Sequence, residues 1–253
     1  MIKKIIIIII GLAVLLGGAW LVVHKVSKTT KSDSNQTKPV EKSPAVVFDK
    51  QKYILTDPTS LWFVANKHFA LPISYVPNDL IVPSVPLRLA SSEQQMHLRV
   101  VTQTDLTALF YAAKAAGLQL QLGSGYRSAT YQKTLYDGYV SSLSKAEADR
   151  SSARPGHSEH QTGLALDFTR IDGKCHLEAC FGDMPEGKWL IDNAYTFGFI
   201  LRYTSDKEQV TGYMYEPWHF RYVGHELAKE MHDKGVKTLE EFFSLGSAPD
   251  YLQ

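Results

Sequence analysis

The stretch TDLTALFYAAKAAGLQLQLGSG, from Thr104 to Gly125, changes its hydrophobic period in the middle, and that change sets the fold class. Leu106, Leu109, Phe110, Ala113 and Ala116 recur at helical spacing, on one face of a helix that Thr104 can cap and Gly117 can end. Leu118, Leu120 and Leu122 then alternate with Gln119 and Gln121, the period of a half-buried strand, which Gly123 to Gly125 ends. The same reading extends outward. It predicts a helix from Ser128 to about Tyr139, a strand from Leu164 to Phe168, and a helix from Gly187 to Phe197 closed by Gly198. Strands follow at Phe199–Tyr203 and Trp218–Tyr222, then a helix at Glu226–Lys234 closed by Gly235, and a short last helix capped by Thr238. Helices and strands alternate without regular βαβ spacing. The expected class is therefore α+β, a single domain with a small, mainly antiparallel sheet flanked by helices.

The N-terminal end reads differently. Ile5 to Val23 form an uncharged apolar run between Lys3, Lys4 and His24, Lys25. At about 1.5 Å per residue such a helix nearly spans a hydrocarbon core of roughly 30 Å. The run exceeds the core of a cleaved signal peptide, has no clean A-x-A site after it, and is followed by no lipid-accepting cysteine. We expect a signal-anchor transmembrane segment over residues 1–26. Ser, Thr, Lys, Asn, Gln and Pro dominate residues 27–45, which read as a flexible linker because almost nothing there can be buried. The folded domain is expected over residues 46–253. The lysines beyond the apolar run (Lys25, Lys28, Lys31, Lys38, Lys42) would by themselves favour a cytoplasmic body, although long domains translocate largely regardless of such charges.

The 253 residues carry a formal net charge of only +1, so no basic footprint for nucleic acid exists and none is expected as a partner. The two cysteines, Cys175 and Cys180, stand close enough to staple a loop in an oxidising compartment, or to be two free thiols. Zinc binding by this pair is disfavoured, because no second cysteine pair stands nearby.

Two segments concentrate histidines and carboxylates: Ser158-Glu159-His160-Gln161-Thr162-Gly163-Leu164-Ala165-Leu166-Asp167, and Glu216-Pro217-Trp218-His219. A catalytic zinc takes three protein ligands and keeps a fourth position for water, which His160, Asp167 and His219 could satisfy. Asp167 interrupts an apolar run, where an ionised carboxylate is costly unless paired or bound to a metal. Glu216 could be the general base that takes a proton from the attacking water. A regular strand would turn Glu216 and His219 to opposite faces, but Pro217 breaks the regularity and lets both approach one point. Each residue taken alone also has an ordinary structural explanation. His157 competes with His160 for the ligand role, and His225 with His219.

The order and wording of three blocks resemble the VanY-type D-alanyl-D-alanine carboxypeptidases and the related L,D-carboxypeptidases of the bacterial wall. The blocks are Ser124-Gly125-Tyr126-Arg127-Ser128, then Pro155-Gly156-His157 continuing through Asp167 with the pattern S-x-H-x-x-G-x-A-x-D, then Glu216-Pro217-Trp218-His219 with the pattern E-x-W-H. The resemblance covers most of the region from about Trp62 to Leu245. It implies a zinc (Zn2+) site on the sheet held by His160, Asp167 and His219, with Glu216 as catalytic base. Arg127 would contact the substrate and support the scissile carbonyl, since a guanidinium can hold an oxyanion or a carboxylate. Ser158 and Gln132 would line the substrate pocket. The implied substrate is the peptidoglycan stem peptide, from which D-alanine is removed by D,D-carboxypeptidase cleavage, favoured as the commoner family activity. L,D-carboxypeptidase cleavage of tetrapeptide stems, a non-catalytic wall-binding zinc domain and an endopeptidase are the alternatives. A wall substrate puts the domain outside a single-pass anchor in the cell membrane and supports a Cys175–Cys180 disulfide; separately, a monomer is expected.

Overall fold

The structure, a computed structural model, describes residues 48–252. The expected signal-anchor over 1–26 and linker over 27–45 lie outside the described residues, among which no helix is long and apolar enough to cross a membrane. Strands β1 (Leu80–Ile81) and β2 (Leu98–Arg99) form a minimal antiparallel ribbon. The chain then runs through α1 (Gln103–Ala115), β3 (Leu120–Ser124), α2 (Ala129–Ser142), α3 (Lys145–Ser151), β4 (Ala165–Arg170), α4 (Pro185–Asn193), β5 (Phe199–Leu201), α5 (Glu208–Thr211), β6 (His219–Tyr222), α6 (His225–Asp233) and α7 (Leu239–Phe243). Four strands form one sheet in the order β3-β4-β6-β5. Every neighbouring pair in it is antiparallel, so the α+β class with a small antiparallel sheet is what the chain adopts.

Strand periodicity divides this sheet into two chemically different faces. Leu166 and Phe168 of β4 and Phe220 and Tyr222 of β6 are buried in one core with Leu106, Leu109, Phe110 and Ala113 of α1 and Leu190 of α4. Removing a side chain the size of Phe168 or Phe220 from water stabilises the fold by roughly 1.5–3 kcal/mol. The intervening residues, Asp167 on β4 and His219 and Arg221 on β6, must then face the other way. Ile200 of β5 joins a second core with Val223, Leu227, Ala228 and Met231 from and beside α6, and Leu239 and Phe242 of α7. The polar face of the sheet is thus flanked by an apolar cluster of its own.

Several boundaries differ from expectation, each for a local reason. Helix α1 does not begin at a Thr104 cap. A 3-10 turn at Val100–Thr102 runs directly into it, and the Thr102 hydroxyl donates back to the Arg99 carbonyl at 2.9 Å instead of capping. The strand after α1 is Leu120–Ser124 rather than Leu118–Leu122, because the Leu118 N–H still bonds Ala113 O at 3.0 Å and closes the helix. Helix α4 starts at Pro185 and ends at Asn193, and Ala194–Phe197 form a separate 3-10 turn closed by Gly198. Helix α3 escapes periodicity analysis: it is seven residues long with only Ala148 buried, and its signal is the Ser144 cap, whose hydroxyl accepts from Glu147 N–H at 3.1 Å. Ser128 caps α2 in the same way, accepting from Tyr131 N–H at 3.2 Å.

Candidate active site

The polar face of the sheet gathers the histidines and carboxylates. Asp167 on β4 and His219 on β6 are directly opposite each other in the strand register. Side chains of such cross-strand neighbours leave the sheet on the same face about 5 Å apart. His160 comes from the 3-10 turn Glu159–Thr162 that precedes β4 and ends at Gly163 in the left-handed conformation, φ 68°. Gly125 closes the arrangement from below. A Cβ there would stand 2.4 Å from the His97 carbonyl, so only glycine fits. Its own carbonyl oxygen accepts a hydrogen bond from His160 Nδ1 at 2.6 Å, which directs Nε2 of that ring toward the sheet.

The three groups converge. His160 Nε2 lies 3.4 Å and His219 Nδ1 3.3 Å from the same oxygen, Asp167 Oδ1, and one ligand atom from each residue falls within 4.8 Å of the others. The two imidazole rings meet edge to face, with centroids 4.8 Å apart. All three residues are buried. His160 Nε2 and Asp167 Oδ1 have no hydrogen-bond partner, an expensive state for buried polar atoms unless something else takes their lone pairs. Two imidazole nitrogens and a carboxylate oxygen with one side open to a cavity match the donor set and geometry of a catalytic zinc. His157 and His225, the competing histidines, lie elsewhere. His157 Nδ1 is bonded to the Asn66 carbonyl at 2.8 Å and its ring packs on Tyr251, while His225 pairs with Asp105 at 2.9 Å.

Glu216 and His219 bracket a turn, with His219 N–H donating to Glu216 O at 3.0 Å. Strand β6 therefore begins at His219 rather than at Trp218. The turn brings Glu216 Oε2 to 3.8 Å from His219 Nδ1. Arg127 approaches Asp167 Oδ2 at 3.5 Å and donates to Gln132 Oε1 at 3.3 Å, while its Nε has no partner. Gln132 lies in the wall with its own donors committed to Ser152 Oγ at 3.1 Å and the Ala153 carbonyl at 2.8 Å, so it orients Arg127 through its oxygen. Ser158, with Arg127, Gln132, Glu216 and the three clustered residues, lines a cavity of about 440 Å³. Cys175 and Cys180 are joined in a disulfide, so neither thiol is free to bind a metal.

Electrostatics differentiate these groups. Burial pushes the Glu216 carboxyl up to about 7, assisted by the charge of Asp167 and opposed by His219. Burial lowers His160 to about 4, with Arg127 acting in the same direction, and keeps its imidazole neutral as a ligand must be. Burial opposes ionisation of Asp167 too, but His160, His219 and Arg127 outweigh it and hold the carboxyl well below its usual range. His219 rises to about 9: burial opposes the charge, but the carboxylates of Asp167 and Glu159 beside its two ring nitrogens prevail.

Residue types alone did not single out Glu159. It is buried, its Oε1 accepts from Arg202 Nε and Arg221 Nη1, each at 2.9 Å, and its Oε2 faces His219 Nε2 at 3.5 Å. The only sequence signal was its position beside His160 in the second block. Arg202 and Arg221, each on or beside a short strand, carried none.

Comparison with known proteins agrees with this geometry. Residues 95–225, more than half of the chain, match the family model VanY, described as D-alanyl-D-alanine carboxypeptidase. YodJ of Bacillus subtilis (strain 168) is 42% identical over 189 residues, covering 75% of this chain and 69% of that one. The solved structure of the LdcB LD-carboxypeptidase shares 43% identity at a TM-score of 0.70, over 74% of this chain and 87% of its own. A mutant of the vancomycin-resistance D,D-pentapeptidase VanY, solved in complex with Zn(II), shares 34% identity at a TM-score of 0.57, over 73% of this chain and 99% of its own. With the family match spanning both site segments and zinc present in a related structure, the chain belongs to the VanY family and is a zinc metallopeptidase.

Proposed function

We propose that this chain is a carboxypeptidase that removes the C-terminal D-alanine from peptidoglycan stem peptides, with His160, Asp167 and His219 as its zinc ligands. The observation that carries the reading is the convergence of those three groups on one point, with Glu216 and Arg127 beside it at the wall of a single cavity. Zinc bound there supplies a Lewis acid that polarises the scissile carbonyl and makes water a nucleophile near neutral pH. Glu216 takes the proton from the attacking water and passes it to the leaving D-alanine nitrogen. A carboxyl whose affinity for protons sits near 7 suits both transfers. Arg127, tethered through Gln132 and Asp167, keeps an unpartnered N–H for the developing oxyanion or for the terminal carboxylate of the peptide. Ser158 contributes to the wall of the same pocket.

The choice of bond has two readings. The likeness to the LD-carboxypeptidase LdcB is greater in identity and in superposition than that to the D,D-pentapeptidase VanY, and it favours cleavage of the L,D bond of tetrapeptide stems over the D,D bond of pentapeptides. We further infer that the domain works outside the cytoplasm, tethered through the apolar run at Ile5–Val23. The Cys175–Cys180 disulfide supports this, since such bonds persist in oxidising compartments.

Mass spectrometry of stem tetra- and pentapeptides incubated with the purified full-length chain, with and without a chelator, tests the reading. Loss of one D-alanine that the chelator blocks is expected, with the tetrapeptide shortened preferentially. A zinc-loaded protein that shortens neither peptide would replace it with a wall-binding or endopeptidase role.

A further inference from the structure

His219 has two ring nitrogens and two carboxylates competing for its proton. Nδ1 faces Asp167 Oδ1 at 3.3 Å, and Nε2 faces Glu159 Oε2 at 3.5 Å. A neutral imidazole carries only one N–H, so protonation of Nδ1 would block the nitrogen that belongs to the metal cluster. Glu159 is built to prevent that. Its Oε1 is saturated by two guanidinium hydrogen bonds, while its Oε2 and His219 Nε2 are buried, face each other and have no other partner. A proton on Nε2 faces the Glu159 Oε2 that no other donor reaches, and leaves the Nδ1 lone pair toward the cluster.

We propose that Glu159 is the positioning residue for His219: it holds the ring with its proton on Nε2 and its Nδ1 presented to zinc. The inference rests on the reading of His160, Asp167 and His219 as the ligand set. Glu159 can do this because it is itself immobilised. Arg202 forms a fork to Glu240, at 2.9 and 2.7 Å, as well as bonding Glu159. Arg221 also donates to the Leu61 and Phe63 carbonyls at 3.0 and 2.8 Å, and Asn66 Nδ2 donates to Glu240 at 2.9 Å. Two glutamates and two arginines form a fully buried cluster whose charges cancel, so its effect at the metal is orientation with little added net field. His160 obtains the equivalent support from the Gly125 carbonyl. The two histidines thus present opposite nitrogens to one point, each held by the nitrogen that remains. Outer partners of ligating histidines typically contribute 10–100-fold to metal affinity.

The test uses the full-length chain. Long-range 1H–15N correlation spectra of the zinc-loaded protein should show His219 protonated at Nε2. A proton on Nδ1, or metal on Nε2, would overturn the proposal without mutagenesis. Glu159→Gln keeps the shape and the acceptor for the arginines but turns a donor toward Nε2. It should weaken zinc about 10–100-fold in competition with a chromophoric chelator and shift the His219 tautomer. Glu159→Asp, which keeps the charge but withdraws the carboxylate, should fold and weaken zinc in the same direction. Asp105→Asn, which weakens the carboxylate that accepts from the Tyr222 hydroxyl outside this cluster, is the control: it should lower the unfolding midpoint while leaving the His219 spectrum unchanged and zinc affinity within about threefold. Folded Glu159→Gln or Glu159→Asp protein with unaltered zinc affinity and tautomer would refute the role. Equal loss of affinity in Asp105→Asn would mean a general structural effect, also refuting it. Failure of the unaltered chain to bind zinc would remove the ligand-set reading itself, a distinct result.

Discussion

Glu216 works against the fold that contains it. Its carboxyl ionises at an ordinary 4.5 in the unfolded chain and is pushed to about 7 by burial in the site. The folded state therefore binds the proton more tightly, and a penalty grows as pH rises from 4.5 and is complete above 7. At about 1.4 kcal/mol per unit, discounted because 13% of the side chain meets solvent, the penalty is on the order of 2 kcal/mol. Glu216→Gln in chelator should accordingly raise the urea midpoint at pH 8 but not at pH 4, and equal midpoints at pH 8 would show that the carboxyl is not destabilised. The same residue tests the chemistry. Glu216→Ala should retain zinc by elemental analysis and lose 10²-fold or more in turnover, a typical general-base contribution. Near-normal turnover in that variant would sink the proposed role.

At the scale of single elements, the site depends on how turns meet strands. The alternation of β4 and β6 sends Leu166, Phe168, Phe220 and Tyr222 into the core, and so delivers Asp167 and His219 to one face in direct register. The turn before β4 adds His160, and the loop after β3 adds Gly125 and Arg127. Gly125 is the tightest joint in this assembly, because a Cβ would press to 2.4 Å against the backbone oxygen of His97. Gly125→Ala should displace the loop, cost about 1–3 kcal/mol in unfolding free energy, and weaken zinc by moving the acceptor of His160 Nδ1. A thermal midpoint and a zinc titration both matching the unaltered protein would show that the loop yields freely.

For the whole molecule, the buried Glu159–Arg202–Glu240–Arg221 cluster connects separated parts of the chain: the turn before β4, the end of β5, strand β6 and helix α7. Removing either sign from such a cluster leaves an uncompensated buried charge, which typically costs 3–5 kcal/mol. Burial opposes the charge on Glu159, but Arg202 and Arg221 hold its folded-state proton affinity well below the unfolded value of 4.5. The stabilisation this provides is therefore complete above about pH 4.5 and is lost as pH falls further. With chelator present, the denaturant midpoint should fall steeply as pH drops below 4.5. A midpoint unchanged down to pH 3 would mean that the cluster does not couple folding to protons.

The period change at Thr104–Gly125, the apolar alternation and the glycine stops made the elements and the α+β class legible, because those signals are local and follow from backbone geometry. An aspartate inside the run Leu164–Phe168 was equally legible as a residue requiring a partner, since the cost of burying it is local as well. The residues themselves left His157 against His160 and His225 against His219 open. That choice depends on which strands pair and in what register, and the antiparallel β4–β6 ladder puts Asp167 opposite His219 while His157 and His225 bond elsewhere. Helix α3 went unseen because one buried alanine makes no period. Glu159, Arg202, Arg221 and Glu240 read singly as ordinary charged residues. Their meeting required segments far apart in sequence to fold around one desolvated point, where charges that water would separate become each other's partners.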